Sequence, residues 1–163
     1  DYCHASGVSV EAELGAIRGK EDDHVSEADC KTDPAEVAEY VGRVGCDTLA
    51  VSIGNVHGLE DTPKIDLDHL AKIAAVCPCP LVLHAGIPFE TIAAMKQYGM
   101  VKINIASDLR QAYIRAVAAA HDKNPNEANL AKVLMDARAA VTEVARKTQL
   151  GINGMLDAKD LAA

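Results

Sequence analysis

Short apolar runs alternate with helix-patterned segments along this chain, and that alternation restricts the fold more than any other feature. Residues 47–53 read Asp-Thr-Leu-Ala-Val-Ser-Ile, residues 80–83 Pro-Leu-Val-Leu and residues 100–105 Met-Val-Lys-Ile-Asn-Ile. Each has the length of a buried strand and is too short for a helix. A further apolar run covers residues 8–14. Between these runs the apolar period changes to that of a helix. Asp33 supplies an N-cap oxygen and Pro34 fits the first helical position. Val37, Tyr40, Val41 and Val44 then share a face, and Gly45 ends it. Residues 66–76 place Leu67, Leu70, Ile73 and Ala74 on one side. Residues 89–98 form a third helix closed by Gly99. Residues 108–120 and 127–148 predict two more. Strands alternating with helices mean a parallel sheet with right-handed crossovers. Four such β/α units make either a small open sheet or half of an eight-unit barrel, and periodicity alone does not choose.

In such folds ligands bind at the carboxyl ends of the strands. Two histidines fall there: His57 in Ile53-Gly54-Asn55-Val56-His57-Gly58, and His84 in Leu81-Val82-Leu83-His84-Ala85-Gly86. Imidazole is the commonest metal ligand, and two strand-end histidines can converge on one divalent ion. Glu11 and Glu13 lie two apart in the first strand and so share a face. Two buried carboxylates without a cation or hydrogen-bond partners are costly. The plainer readings are hydrogen-bonded turn histidines and carboxylates on a solvated edge strand. Residues 16–31 read as a long polar loop, of the kind that is usually functional or mobile. His4, His24, His69 and His121 read as surface or structural residues.

Composition removes several function classes. The 163 residues are 49% hydrophobic and 25% charged, which is ordinary for a globular protein. A net charge of −8 argues against nucleic acid or an anionic membrane as partner. No apolar run approaches the roughly 18 residues that span a bilayer. No signal peptide is visible. The chain opens on Asp1-Tyr2-Cys3-His4 as if inside an element, which suggests a fragment. Cys3, Cys30, Cys46, Cys77 and Cys79 are an odd number without framework spacing, as expected of reduced thiols in the cytoplasm. In Cys77-Pro78-Cys79-Pro80 the prolines set the approach to a strand, with a metal or redox role as the alternative.

Four motifs occur in order: Val10-Glu11-Ala12-Glu13-Leu14-Gly15 with Glu21-Asp22; Gly54-Asn55-Val56-His57-Gly58; Leu81-Val82-Leu83-His84; and Lys102-Ile103-Asn104-Ile105-Ala106-Ser107-Asp108-Leu109. Together they resemble the class II, zinc-dependent ketose-bisphosphate aldolases, which act on fructose and tagatose bisphosphates. The resemblance covers nearly the whole chain. It implies a (β/α)8 TIM barrel of which these residues form roughly the last four β/α units, as a single or partial domain. It implies reversible cleavage of a ketose bisphosphate to dihydroxyacetone phosphate and an aldehyde, with Zn2+ or another divalent ion stabilising the enediolate.

The same resemblance assigns roles. His57, His84 and Glu13 match metal-site residues, and Glu21 matches a proton-transferring acid in a mobile loop. Gly58, Ala85, Gly86, Asn104, Ala106 and Ser107 match positions around the substrate and its phosphate. Lys102 lends positive charge nearby without an assigned contact. Arg138 reads as a solvated helix residue. The implied partner is a phosphorylated sugar, and open sheet edges point to self-association into a homo-oligomer. Departures are specific. The family follows its second strand-end histidine with Gly-Gly-Ser-Gly or Gly-Ala-Ser-Gly before Ile-Pro. Here Ala85-Gly86 alone precede Ile87-Pro88, two residues shorter and without the Ser. Arg18 stands where Gly is common. The third zinc histidine and a proton-handling Asp belong to an earlier strand absent here. The chain therefore reads either as part of an aldolase or as a noncatalytic half-barrel that binds metal or phosphate weakly, or acts through association.

Overall fold

The computed structural model describes residues 2–21, 24–27, 31–58, 62–84 and 89–155. The chain divides into two compact units, Asp1–Asn104 and Ile105–Ala163.

The first unit is an α/β sheet. Strands β1 (Glu11–Leu14), β4 (Thr48–Val51), β6 (Leu81–His84) and β7 (Met100–Asn104) lie side by side in that order, all parallel. Helices α1 (Pro34–Val44), α2 (Leu67–Val76) and α3 (Phe89–Met95, extended by a 3-10 turn at Lys96–Tyr98) join them. This is the alternation that the apolar runs predict. The helix starts follow local chemistry. The Asp33 carboxylate accepts from the Ala35 amide, with Pro34 opening α1, and the Asp66 carboxylate accepts from the His69 amide at the start of α2. Gly45 ends α1 at φ 68°, a left-handed conformation that suits glycine.

The two faces of the sheet differ sharply. Leu49, Val51, Leu81 and Leu83 point to the helices and form the core with Val37, Val41, Leu70, Ile73, Met95 and Met100. Fully burying one such side chain contributes about 1.5–3 kcal/mol. Register fixes the opposite face. Glu11 pairs with Thr48 and Glu13 with Ala50. Ala50 pairs with Val82, Val82 with Lys102, and His84 with Asn104. The register slips between Leu81 and Val82, so that Leu81 faces Met100 while Val82 already faces Lys102. Val101 is the extra residue, and it is exposed. Such a bulge re-aims side chains. Without it Val101 would stand opposite Val82, and Lys102 would join the helix-facing leucines.

Residues 16–31 depart from the expected loop. Arg18–Glu21 form β2 and His24–Ser26 form β3, paired antiparallel. β2 also pairs in parallel with a two-residue strand, β5 (Val56–His57), placing Gly19 opposite His57. The sequence hides these strands because Arg18-Gly19-Lys20-Glu21 has no apolar alternation. Backbone bonding, and little side-chain burial, defines them. Gly19 is required at φ 118°, since a Cβ would lie 2.1 Å from the His57 carbonyl oxygen. The histidines are likewise the last residues of strands, β5 and β6, and do not lie past the strand ends.

The second unit is helical. Helix α4 (Ser107–Lys123) packs against α5 (Leu130–Ile152). The expected helix over 127–148 starts later because Asn129, a preferred N-cap, accepts from the Lys132 amide. Among the described residues no helix is long and apolar enough to cross a membrane.

Gly54 sits at φ 96°, and a Cβ there would approach the Lys64 carbonyl oxygen to 2.1 Å. Gly54→Ala is expected to cost at least about 1–3 kcal/mol from the backbone conformation alone. Urea denaturation checks this, and an unchanged midpoint would contradict the turn described here.

Candidate active site at the polar face of the sheet

His84, at the end of β6, is clamped between two carboxylates of β1. Its Nδ1 lies 2.6 Å from Glu13 Oε2 and its Nε2 3.0 Å from Glu11 Oε1. Lys102 donates to the other Glu11 oxygen at 2.9 Å. A ring nitrogen must carry a proton to donate, so satisfying both carboxylates makes His84 an imidazolium. The Glu13 hydrogen bond pushes the His84 pKa above its usual 6.5, burial opposes this, and Glu11 adds to the rise. Burial pushes the Glu11 carboxyl up, but hydrogen bonds from Lys102 and His84 outweigh it and hold it below the usual 4.5.

The backbone of His84 is held from below. Asn55 is 1% exposed. Its side-chain oxygen accepts from the Ile53 amide at 2.8 Å, and its nitrogen donates to the His84 carbonyl at 2.7 Å. Thr32 and Ser52, also buried, tie the ends of β1 and β4 together. The Ser52 amide donates to the Thr32 hydroxyl, which donates to the Leu14 carbonyl, while the Ser52 hydroxyl donates to Ala16. Each polar side-chain atom of these three residues has a partner, as buried polar groups require.

The predicted site residues fare differently. Glu13 and His84 meet. His57 ends β5, partly buried, opposite Gly19. Among the described residues no three His, Cys, Asp or Glu side chains gather around one point as an ion would require. Asn104 ends β7 opposite His84. Gly58 follows β5 at φ 83° beside the Lys20 carbonyl. Ala106 precedes α4 and Ser107 opens it, and no side chain caps that helix start. Glu21 ends β2. Ala85 and Gly86, with the shortened loop, lie outside the described residues. His4 hydrogen-bonds Asp47 and His69 reaches the Thr32 carbonyl, both structural contacts as expected. Sequence reasoning missed Asn55, Glu11 as a partner of His84, and the contact made by Lys102. The shared face of Glu11 and Glu13 was the available signal.

The metal implied by the resemblance can be tested against this donor set. Tetrahedral bonds of about 2 Å put zinc-bound atoms roughly 3.3 Å apart. Glu13 Oε2 and His84 Nδ1, at 2.6 Å, need only a small opening to hold an ion in place of their proton. The chemistry fits, and two donors are half of a zinc ligand set.

Known proteins agree with this architecture. The model of the family fructose-bisphosphate aldolase class-II matches residues 1–153. The YdjI aldolase from Escherichia coli K12 is similar at 33% identity and a TM-score of 0.74, over 98% of this chain and 54% of that one. The fold also resembles that of a fructose-bisphosphate aldolase from Campylobacter jejuni, with a TM-score of 0.72 at 21% identity, over 93% of this chain and 53% of that one. The chain therefore belongs to the class II fructose-bisphosphate aldolase family. It spans about half the length of the solved structures it matches, and its parallel sheet corresponds to about half of their barrels.

Two outcomes are expected of the metal-free chain. A raised folded pKa makes the His84 contribution complete below pH 6.5 and lost as pH rises through the folded value. A lowered folded pKa makes the Glu11 contribution present above pH 4.5 and lost as pH falls through the folded value. Denaturation midpoints across pH should therefore be highest between these limits, and His84→Gln should flatten the alkaline limb. Asn55→Ala should destabilise the chain by about 1–3 kcal/mol for each backbone group left without a partner. A midpoint shift well below that range would mean that Asn55 does not hold β6.

Proposed function

We propose that this chain contributes the carboxyl-terminal half of a class II aldolase site, acting in the cytoplasm on a ketose bisphosphate. The reaction is cleavage to dihydroxyacetone phosphate and an aldehyde, or the reverse condensation. The observation that carries this reading is the convergence of Glu13 and His84 on the polar face of a parallel sheet, in a chain of this family.

In this reading Glu13 and His84, with His57 as a third ligand, would hold a divalent ion, zinc by family resemblance. Such an ion would supply Lewis acidity toward a ketone oxygen. His84 must give up its Nδ1 proton to ligate, and Asn55 keeps its backbone fixed while it does so. Glu11 keeps Lys102 and the second ring nitrogen, an arrangement that would orient the imidazole for an ion. Glu21 moves a proton to or from the substrate. Gly58, Ala85, Gly86, Asn104, Ala106 and Ser107 receive the substrate and its phosphate, with the uncapped amides of α4 suited to an anion. The remaining metal ligand and the proton-handling Asp come from sequence outside this chain.

Calorimetric zinc titration of the purified chain is expected to show binding that weakens at least tenfold in His84→Ala and Glu13→Gln and also falls in His57→Ala. The chain alone should not cleave fructose 1,6-bisphosphate. Mixing with the amino-terminal half of a related aldolase should restore turnover that His84→Ala removes. Zinc binding indifferent to all three substitutions would overturn the metal assignment. Absence of turnover in the reconstituted mixture, with zinc bound, would favour the noncatalytic half-barrel.

A further inference from the structure

A second cluster of reactive side chains lies at the opposite, amino-terminal end of the sheet. Cys77 caps the end of α2, and Cys79 leads through Pro80 into β6. Their sulfurs stand 3.8 Å apart, and the Cys77 thiol donates to the Cys79 carbonyl at 3.2 Å. Cys46, before β4 and buried, is a close neighbour of Cys79. Cys77 and Cys79 line a groove of about 450 Å³, with Ala71, Ala74, Pro80 and Tyr98 among its walls. Cys46 does not line it.

We propose that Cys77 and Cys79 form a reversible disulfide, a thiol-oxidation site reached by small-molecule disulfides through this groove. The sulfurs need only close from van der Waals separation to a bond of about 2.05 Å. Pro78 shortens the search by fixing the backbone between them. A ring closed over one intervening residue gains little from loop entropy, so the bond is readily reduced, as suits a regulatory disulfide and not a structural one.

The exchange balances as two displacements. The Cys77 thiolate attacks one sulfur of the small disulfide and forms a mixed disulfide. The first small thiolate leaves with the electron pair and takes up a proton. Cys79, on losing its proton, then attacks the Cys77 sulfur and expels the second small thiol. Two protein thiols are oxidised and one small disulfide is reduced to two thiols. Burial, with the neighbouring Cys77 and Cys46 thiols, pushes the Cys79 pKa up to about 12. Attack by Cys79 is therefore the slow step at neutral pH and accelerates as pH rises.

The test treats the folded chain with oxidised glutathione and maps the tryptic peptides by mass spectrometry. Cys77 and Cys79 share the peptide spanning residues 73–96, and Cys46 lies on another. The expected result is loss of two hydrogens within that peptide, faster at higher pH and reversed by reduced glutathione. Cys79→Ser should accumulate the glutathione adduct at Cys77, and Cys77→Ser should form no internal bond. A cross-link to the Cys46 peptide, or two thiols left reduced in excess oxidant, would overturn the proposal. So would equal rates in the folded and urea-unfolded chain.

Discussion

A carboxylate drawn toward the inside of a protein must meet a cation or hydrogen-bond donors, or it will not stay ionised. Two glutamates placed two residues apart on one strand double that demand, because both point to the same side. The fold answers with one imidazole and one ammonium. His84 spans both glutamates, and Lys102 takes the oxygen of Glu11 that His84 leaves. The partners come from strands two and three places away in the sheet. The interaction therefore holds only while β1, β4, β6 and β7 keep their order and register. The buried Asn55, Thr32 and Ser52 fix the strand ends for the same reason.

This polar face has an apolar counterpart. Leucines and valines on the other side of the same strands meet α1 and α2 and supply the cohesion that lets charged side chains occupy the remaining face. Chemistry is thereby sorted by position. His84 and Asn104 end their strands, and Glu13 stands one residue from the end of β1. Cys46, Cys77 and Cys79 lie toward the amino ends, where chain segments enter the sheet. β6 connects the two, with Cys79 leading in and His84 at its exit.

Much of this was legible in residue order. Asp33-Pro34, Asp66 and Gly45 marked helix limits by local hydrogen bonding and φ preference, and the apolar runs marked the four parallel strands. The shared face of Glu11 and Glu13 followed from the two-residue period of a strand. The hairpin of β2 and β3 was not legible, because its residues alternate no apolar side chains and its bonds are between backbones. Lys102 could be placed on β7, but not against Glu11, since that contact depends on register between strands distant in sequence. Asn55 had no periodic signal at all: its role exists only where the turn after β4 meets the end of β6.

The bulge at Val101 carries a wider meaning. β7 presents Lys102 and Asn104 to the polar face only because one residue is spent without a partner. The content of that face is thus set by the parity of a residue count as much as by residue identity. A relative that lost or gained a single position ahead of Lys102 could keep the same lysine and asparagine and yet show them to the helices. Divergence within such a sheet can then proceed in jumps, by insertion and deletion, exchanging a whole row of side chains at one stroke where point substitutions would alter them singly.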